Sequence, residues 1–503
     1  MTVSNELDRL ESVGLIKVAS VIPELEYLFR HWMIQEAAYS SLLKRERKRL
    51  HEFVGNTLVD LYPDRSDEMS AELAHHFEEA GDVERALDYL LQAGEQAGGR
   101  GALHEARSMF DRAAKLVPTD DAPEARRKRI RIVLGSVRSG WTFNPPEAEL
   151  ASMEKVLSDA ETLGDKRSLV DLYTWITTLR QFQGEAYGTS PELTFAIDKA
   201  RQISEEISDK MLHAETMANL GMTLAFSGRS RDGAAILEEV LPVMEEKGGS
   251  IAYSFGLAAL GVAYARLGEF AKAESAAVRA EKAAETGDPI AKLDALLMHG
   301  MVHLTKGELS KVVELSTICT RNSDELGAIA CAIGSNLVLG TAYLMQGKPE
   351  VARRHFERSD ELSAVSWKFW KQLTRASLAT VDAMTGNIDK AHEGWAAAIE
   401  GSIAAHDAIA EAAARMMRAN TVMSQTPSGG GEVLADLEKA IEIFERLEMI
   451  PDLARALKSY GVALRTTGRQ EEGTSALQRS FKLLEKMGLT EEAGAAEAEL
   501  AAS

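Results

Sequence analysis

The sequence predicts an all-α superhelical solenoid of about ten helical hairpins, and three observations predict it. A glycine-centred pattern recurs every 39 or 40 residues, small residues follow each copy at helical spacing, and nothing in the composition departs from a globular chain. Of 503 residues, 45% are apolar and 6% aromatic, with 57 Lys and Arg against 77 Asp and Glu. One compact core rarely grows past ~250–300 residues. The regular period therefore favours an elongated array over several unrelated domains.

From the N-terminus, residues 7–16 read as a short helix running into a strand, and residues 25–29 as a second strand after Pro23. Three motifs follow in order: Phe29-Arg30-His31-Trp32-Met33-Ile34-Gln35-Glu36-Ala37-Ala38-Tyr39, residues 40–51, and Glu72-Leu73-Ala74-His75-His76-Phe77-Glu78-Glu79-Ala80-Gly81-Asp82. The repeat is plainest at Leu220-Gly221-Met222-Thr223-Leu224 with Gly228, at Leu260-Gly261-Val262-Ala263-Tyr264 with Gly268, at Leu339-Gly340-Thr341-Ala342-Tyr343 with Gly347, and at Tyr460-Gly461-Val462-Ala463-Leu464 with Gly468. Weaker copies lie at Gly300 with Gly307 and at Ala379 with Gly386, and Gly81, Gly101 and Gly184 extend the series upstream.

After each loop glycine, apolar or small residues recur at spacings of four and three, as in Gly347 followed by Ala352, Phe356 and Ser359. That spacing defines one helical face. A glycine inside a helix costs ~1 kcal/mol relative to alanine. Five inner glycines therefore predict close helix contact, and the loop glycine supplies the left-handed residue that ends the first helix.

These copies resemble the tetratricopeptide repeat over residues 70–490, and residues 94–118 carry the terminal proline, Pro118, after Ala113. The family's usual unit is ~34 residues, so this longer period is similar to the superhelical repeats of bacterial signalling ATPases like the maltose-regulon activator. The resemblance implies a right-handed superhelix. Residues 5–118 also resemble the junction of large bacterial proteins that join a class III adenylate/guanylate cyclase domain, a P-loop ATPase module, a winged-helix-like segment and a tetratricopeptide tail. No Gly-x-x-x-x-Gly-Lys-Ser/Thr phosphate loop occurs, so the chain reads as the C-terminal arm of such a protein. The expected organisation is a winged-helix-like remnant at 1–32, connecting helices at 33–69 and tetratricopeptide-like units at 70–118. Degenerate units follow at 119–215, regular 39-to-40-residue units at 216–400, and at 401–503 a degenerate unit, a flexible turn at 424–431 and a terminal unit.

A net charge of −20 repels phosphate backbones and anionic lipid, so neither a nucleic acid nor a membrane is an expected partner. Cys319 and Cys331 suit small buried core positions in a reducing compartment. The N-terminus has no secretory pattern, and a cytoplasmic protein is expected. The apolar runs at 251–265 and 326–347 read as buried helices. His31 reads as structural, as do His75 and His76, because neighbours on a helix point about 100° apart and share one ion poorly. The basic runs at 44–49 and 126–131 read as solvated faces answering the chain's own carboxylates, with an acidic partner or phosphate as the alternative.

No catalytic, cofactor or metal residues are expected. In the resembled family the first helix of each unit lines the concave groove, at positions one, four and five after the inner glycine. Carried over, the partner-binding candidates are Met222, Phe226, Val262, Arg266, Met301, Leu304, Leu344 and Met345. Methionines and Phe226 make an adaptable apolar groove for an amphipathic helix or peptide; the competing reading packs some of them between units. The expected function is a non-enzymatic protein-interaction scaffold, the sensor or regulatory arm of a bacterial signalling system. Its expected partner is a protein or peptide, a signalling ATPase or cyclase among the candidates. The alternatives are a small-ligand-sensing superhelix and a C-terminal fragment of an ATPase-coupled cyclase.

Overall fold

A computed structural model of the chain describes residues 3–20, 25–248, 251–285, 288–364, 367–425 and 430–502. The order begins with α1 (Val3–Ser12), the strands β1 (Ile16–Ser20) and β2 (Glu26–Phe29), α2 (Trp32–Ser41), α3 (Lys44–Leu61), α4 (Ser70–Ala80), α5 (Val83–Gly99) and α6 (Leu103–Leu116). It continues through α7 (Pro123–Gly140), α8 (Pro146–Leu163), α9 (Lys166–Phe182), α10 (Pro191–Glu206), α11 (Lys210–Phe226), α12 (Ser230–Glu246), α13 (Ile251–Arg266), α14 (Phe270–Ala284), α15 (Pro289–Lys306) and α16 (Leu309–Leu326). The rest comprises α17 (Ile329–Met345), α18 (Pro349–Ser363), α19 (Lys371–Met384), α20 (Ile388–Ala404), α21 (Ala408–Gln425), α22 (Gly430–Arg446), α23 (Ile450–Thr466), α24 (Gln470–Lys486) and α25 (Thr490–Ala501). Among the described residues the fold is all-α apart from one antiparallel pair, in which Ile16 faces Phe29 and Val18 faces Tyr27.

Two compact units divide the chain: Met1–Ala97 with Ser108–Pro118, and Gly98–Arg107 with Thr119–Ser503. In the first, Leu73, Phe77 and Ala86 form a core closed by Leu58, Val59, Met69, Tyr89 and Leu116. Phe77 stacks on Tyr89 at 5.5 Å, and the Arg85 guanidinium sits 4.0 Å over its ring. Gly81 and Gly101, which the sequence places in successive units, flank the single helix α5 and so mark half a period.

The second unit is a run of antiparallel helical hairpins that pack side by side. Its turns follow from chain chemistry. At Gly307 the backbone is left-handed (φ 83°), and the Gly307 and Glu308 N–H groups donate to Leu304 and His303 carbonyls, closing α15. Inside the hairpins the inner glycines sit where helices touch. A methyl group at Gly340 would fall 2.7 Å from the ring of Phe356, whose complete burial contributes about 1.5–3 kcal/mol. At Gly461 it would meet the Gly473 carbonyl oxygen at 2.8 Å.

The two long apolar runs have a packing explanation. Helix α13 is buried on nearly all sides from Gly256 to Ala265, as expected of a helix surrounded by others. The 326–347 run is broken at Gly327 (φ 70°), between α16 and α17. Among the described residues no helix is long and apolar enough to cross a membrane. In the turn expected at 424–431, residues 426–429 lie outside the described residues, as does Pro23.

Candidate functional site

The eight groove candidates do not form one open surface. Met222, Phe226, Met301 and Leu304 are half-buried against the main core of the second unit, and Val262 is buried within it. Leu344 packs on a separate cluster of Leu337, Ala352, Phe356 and Val381, whereas Met345 is 54% exposed. Arg266 points inward, where its Nη1 donates to the Ala225 carbonyl at 2.7 Å. Burial works against its charge, and Asp452 and Asp407 offset part of that cost.

Aromatic residues far apart in sequence meet one another, and one of the candidates, Phe226, joins them. Trp141 stacks on Phe182 at 5.3 Å, Phe182 meets Trp367 edge-on at 4.8 Å, and Phe226 meets Phe369 edge-on at 5.8 Å. The Lys368 N–H donates to the Phe182 carbonyl at 3.0 Å, and the Ile329 N–H to the Thr142 carbonyl at 2.9 Å. Phe226, predicted to face a ligand, thus faces the chain's own segment 367–370.

That segment opens a cavity of about 210 Å³, lined by Gln183, Gly184, Lys368, Lys371, Gln372, Arg375, Ala405 and Asp407. Lys371 and Arg375 lie four residues apart on α19 and share a face. Arg375 Nη1 donates to Gln372 Oε1 at 3.2 Å. Among the described residues no carboxylate lies within ion-pair distance of Lys368, Lys371 or Arg375. Asp407 is engaged elsewhere, since its carboxylate accepts from the Ala410 N–H at 3.0 Å at the start of α21, and burial raises its affinity for a proton. The cavity therefore offers two ammonium groups, a guanidinium fork and two amides, a set that recognises a carboxylate or similar anion by charge-assisted hydrogen bonds.

Reading by repeat position missed these residues because they come from a connection between repeats and from helix ends. The available signal was local: Trp367-Lys368-Phe369-Trp370-Lys371 groups three aromatic and two basic residues, with Arg375 one turn later.

The other sequence candidates are placed as follows. His31 is exposed at the start of α2 and makes no capping bond with its side chain. His75 and His76 have ring centroids 5.7 Å apart, and His51 of α3 joins them, its Nδ1 at 2.9 Å from that of His76. Cys319 and Cys331 are buried and unbridged, and burial pushes the Cys319 thiol up to about 12. In the 126–131 run, Arg126 and Arg129 converge on the nearly buried Asp159 at 2.6 and 2.8 Å, so the chain's own carboxylate answers them.

No protein-family model matches the chain. An uncharacterised protein of Rhizobium meliloti (strain 1021) is 26% identical over 175 residues, a match covering 34% of this chain and 17% of that protein's length. Among solved structures, a Rap protein complexed with competence and sporulation factor superposes with a TM-score of 0.54 at 12% identity, covering 73% of this chain and 99% of that one. The APC/C hetero-tetramer Cut9–Hcn1 superposes with a TM-score of 0.51 at 13% identity, covering 90% of this chain and 88% of that one. At such identities the likeness is one of fold, and it sets the chain among tetratricopeptide-like helical-repeat solenoids.

Proposed function

We propose that this chain is a non-enzymatic regulatory scaffold that captures an acidic peptide segment, a side-chain carboxylate or chain terminus of which enters the cavity at Lys368, Lys371 and Arg375. The observation that carries this reading is the grouping of three cations, without a carboxylate partner among the described residues, in a protein of net charge −20. A volume of about 210 Å³ lies below the ~300–1,000 Å³ of pockets that enclose whole small ligands. It suits one or two groups of a longer partner, which favours a peptide over a free metabolite. That the Rap protein and Cut9 are each found in complexes supports a binding role for this fold. The likeness of residues 5–118 to the junction of bacterial signalling proteins supports a signalling ATPase or cyclase as the source of the partner, with this chain as its regulatory arm.

The test is site-specific photo-crosslinking from Gln372 in cells, followed by binding of the captured sequence as a synthetic peptide. The expected result is a crosslinked polypeptide with an acidic stretch, whose affinity falls at least tenfold with Lys371→Glu/Arg375→Glu and weakens with salt. Capture unaffected by the double variant, or ATP turnover by the purified chain, would overturn the reading.

A further inference from the structure

Helices α14 and α15 bring a second group of polar side chains together, away from the cavity. His299 and His303 lie one turn apart on α15, so both project from one face, and their rings stack with centroids 4.5 Å apart. Glu274 of α14 faces them: Oε1 lies 3.5 Å from His299 Nε2, and Oε2 lies 3.9 Å from His303 Nδ1. One nitrogen of each imidazole and one oxygen of Glu274 all lie within 4.8 Å of one another. Both histidines are more than nine-tenths buried.

The hydrogen bonds around this group define what it lacks. His299 Nδ1 bonds the Glu281 carboxylate, and His303 Nδ1 lies 2.7 Å from Glu308 Oε2. A neutral imidazole that donates through Nδ1 to a carboxylate carries its lone pair on Nε2. Yet His299 Nε2 and Glu274 Oε2 are both buried without a hydrogen-bond partner. A lone pair on Nε2 facing the Glu274 carboxylate is repulsive, and either a proton on that nitrogen or a metal cation between the two groups relieves it. Charge agrees: Glu308 is matched by Lys306 at 2.6 Å and Lys311 at 3.0 Å, whereas Glu274 and Glu281 have no lysine or arginine partner among the described residues. Two carboxylates without a lysine or arginine partner leave negative charge beside the imidazoles, which a metal cation would offset.

We propose that His299, His303 and Glu274 bind one divalent transition-metal ion of the zinc class, with Glu281 and Glu308 orienting the imidazoles and the ion joining one hairpin of the solenoid to the next. Two imidazoles and a carboxylate are a ligand set that zinc takes with a fourth position for water. Ligands on tetrahedral zinc stand about 3.3 Å apart, so closure from 4.8 Å asks for a side-chain adjustment, which the part-exposed Glu274 can make.

The test titrates the full chain, stripped with chelator, with ZnCl2 by calorimetry and with CoCl2 by visible absorption. We expect one equivalent of zinc at micromolar or tighter affinity and a rise in Tm on the order of 3 °C at a hundredfold excess over Kd. Glu274→Gln and His303→Gln should each weaken binding at least a hundredfold, and Glu281→Gln about 10–100-fold. His76→Gln, at the other histidine cluster, should leave the stoichiometry and affinity unchanged. Absence of stoichiometric zinc and cobalt binding by the unsubstituted chain would overturn the proposal without reference to any variant. So would a site lost with His76→Gln, or one retained by a folded Glu274→Gln chain.

Discussion

Asp294 shows what burial alone does to a residue. It projects from α15, is half-buried, and has its carboxyl pushed up to about 7 by desolvation. The folded chain therefore holds this proton more tightly than the unfolded chain does. Such a group costs nothing below the unfolded value near 4; stability is lost as pH rises from there, and the loss is complete above about 7. The rise from 3.8 to about 7 corresponds to ~4 kcal/mol, at about 1.36 kcal/mol per tenfold change in proton affinity, and water reaching part of the side chain reduces this to about 2. Asp294→Asn should raise stability by about 2 kcal/mol at pH 8 and by less at pH 5, read as the difference in denaturation midpoints; an equal gain at both pH values would refute it. The two cysteines give a second readout. With Cys319 fully buried and its thiol held up to about 12, a disulfide-exchange reagent at pH 8 should label neither Cys319 nor Cys331 until the chain unfolds globally, and faster labelling would point to local opening.

At the scale of the element, the paired glycines fix how closely two helices nest. Gly461 of α23 and Gly473 of α24 face each other, and a methyl group on Gly461 would meet both the Gly473 carbonyl and Leu477 Cγ, the latter at 2.7 Å. Alanine gains ~1 kcal/mol of helix propensity over glycine, but a backbone clash cannot relax by a rotamer change. Gly461→Ala should therefore destabilise by about 1–3 kcal/mol net. Gly494→Ala, in α25 with open space around it, should stabilise by up to ~1 kcal/mol. Circular-dichroism melts of both variants check the pair, and a stabilised Gly461→Ala chain would show that the helices are not held in contact there. This level was legible in the sequence, because Gly461, Gly468 and the small residues after them report only on the neighbouring helix. Gly473, five residues after Gly468, holds the small-residue position that Ala352 holds after Gly347, whereas Gly81 and Gly101 do not mark successive units because a helix boundary recurs every half period.

Over the second unit as a whole, contacts arise that no local period encodes. A repeat describes how one hairpin meets the next, whereas Lys368 meeting Phe182, or Arg231 meeting Glu448 at 2.8 Å, depends on how far the array curves before it meets itself. For this reason the repeat position of Phe226 implies an open groove that the fold fills, and the cavity lined by Lys371 and Arg375 has no signature in the period. The same curvature sets Arg455 against distant partners: it pairs with Glu492 at 2.7 Å and donates to the Thr305 carbonyl at 2.8 Å, tying α23 to both α25 and the end of α15. Arg455→Met leaves Glu492 and that carbonyl without their donor. Removing one member of a fully buried pair costs ~3–5 kcal/mol; these side chains keep 22% and 27% of their surface in water, so about 2 kcal/mol is expected. Hydrogen exchange should then quicken in α25 and at the C-terminal turn of α15 but not in α19. Because replacing both partners removes the stranded charge, Arg455→Met/Glu492→Met should recover part of the loss. Equal destabilisation in the single and double variants would mean that Glu492 contributes nothing to holding these distant helices together.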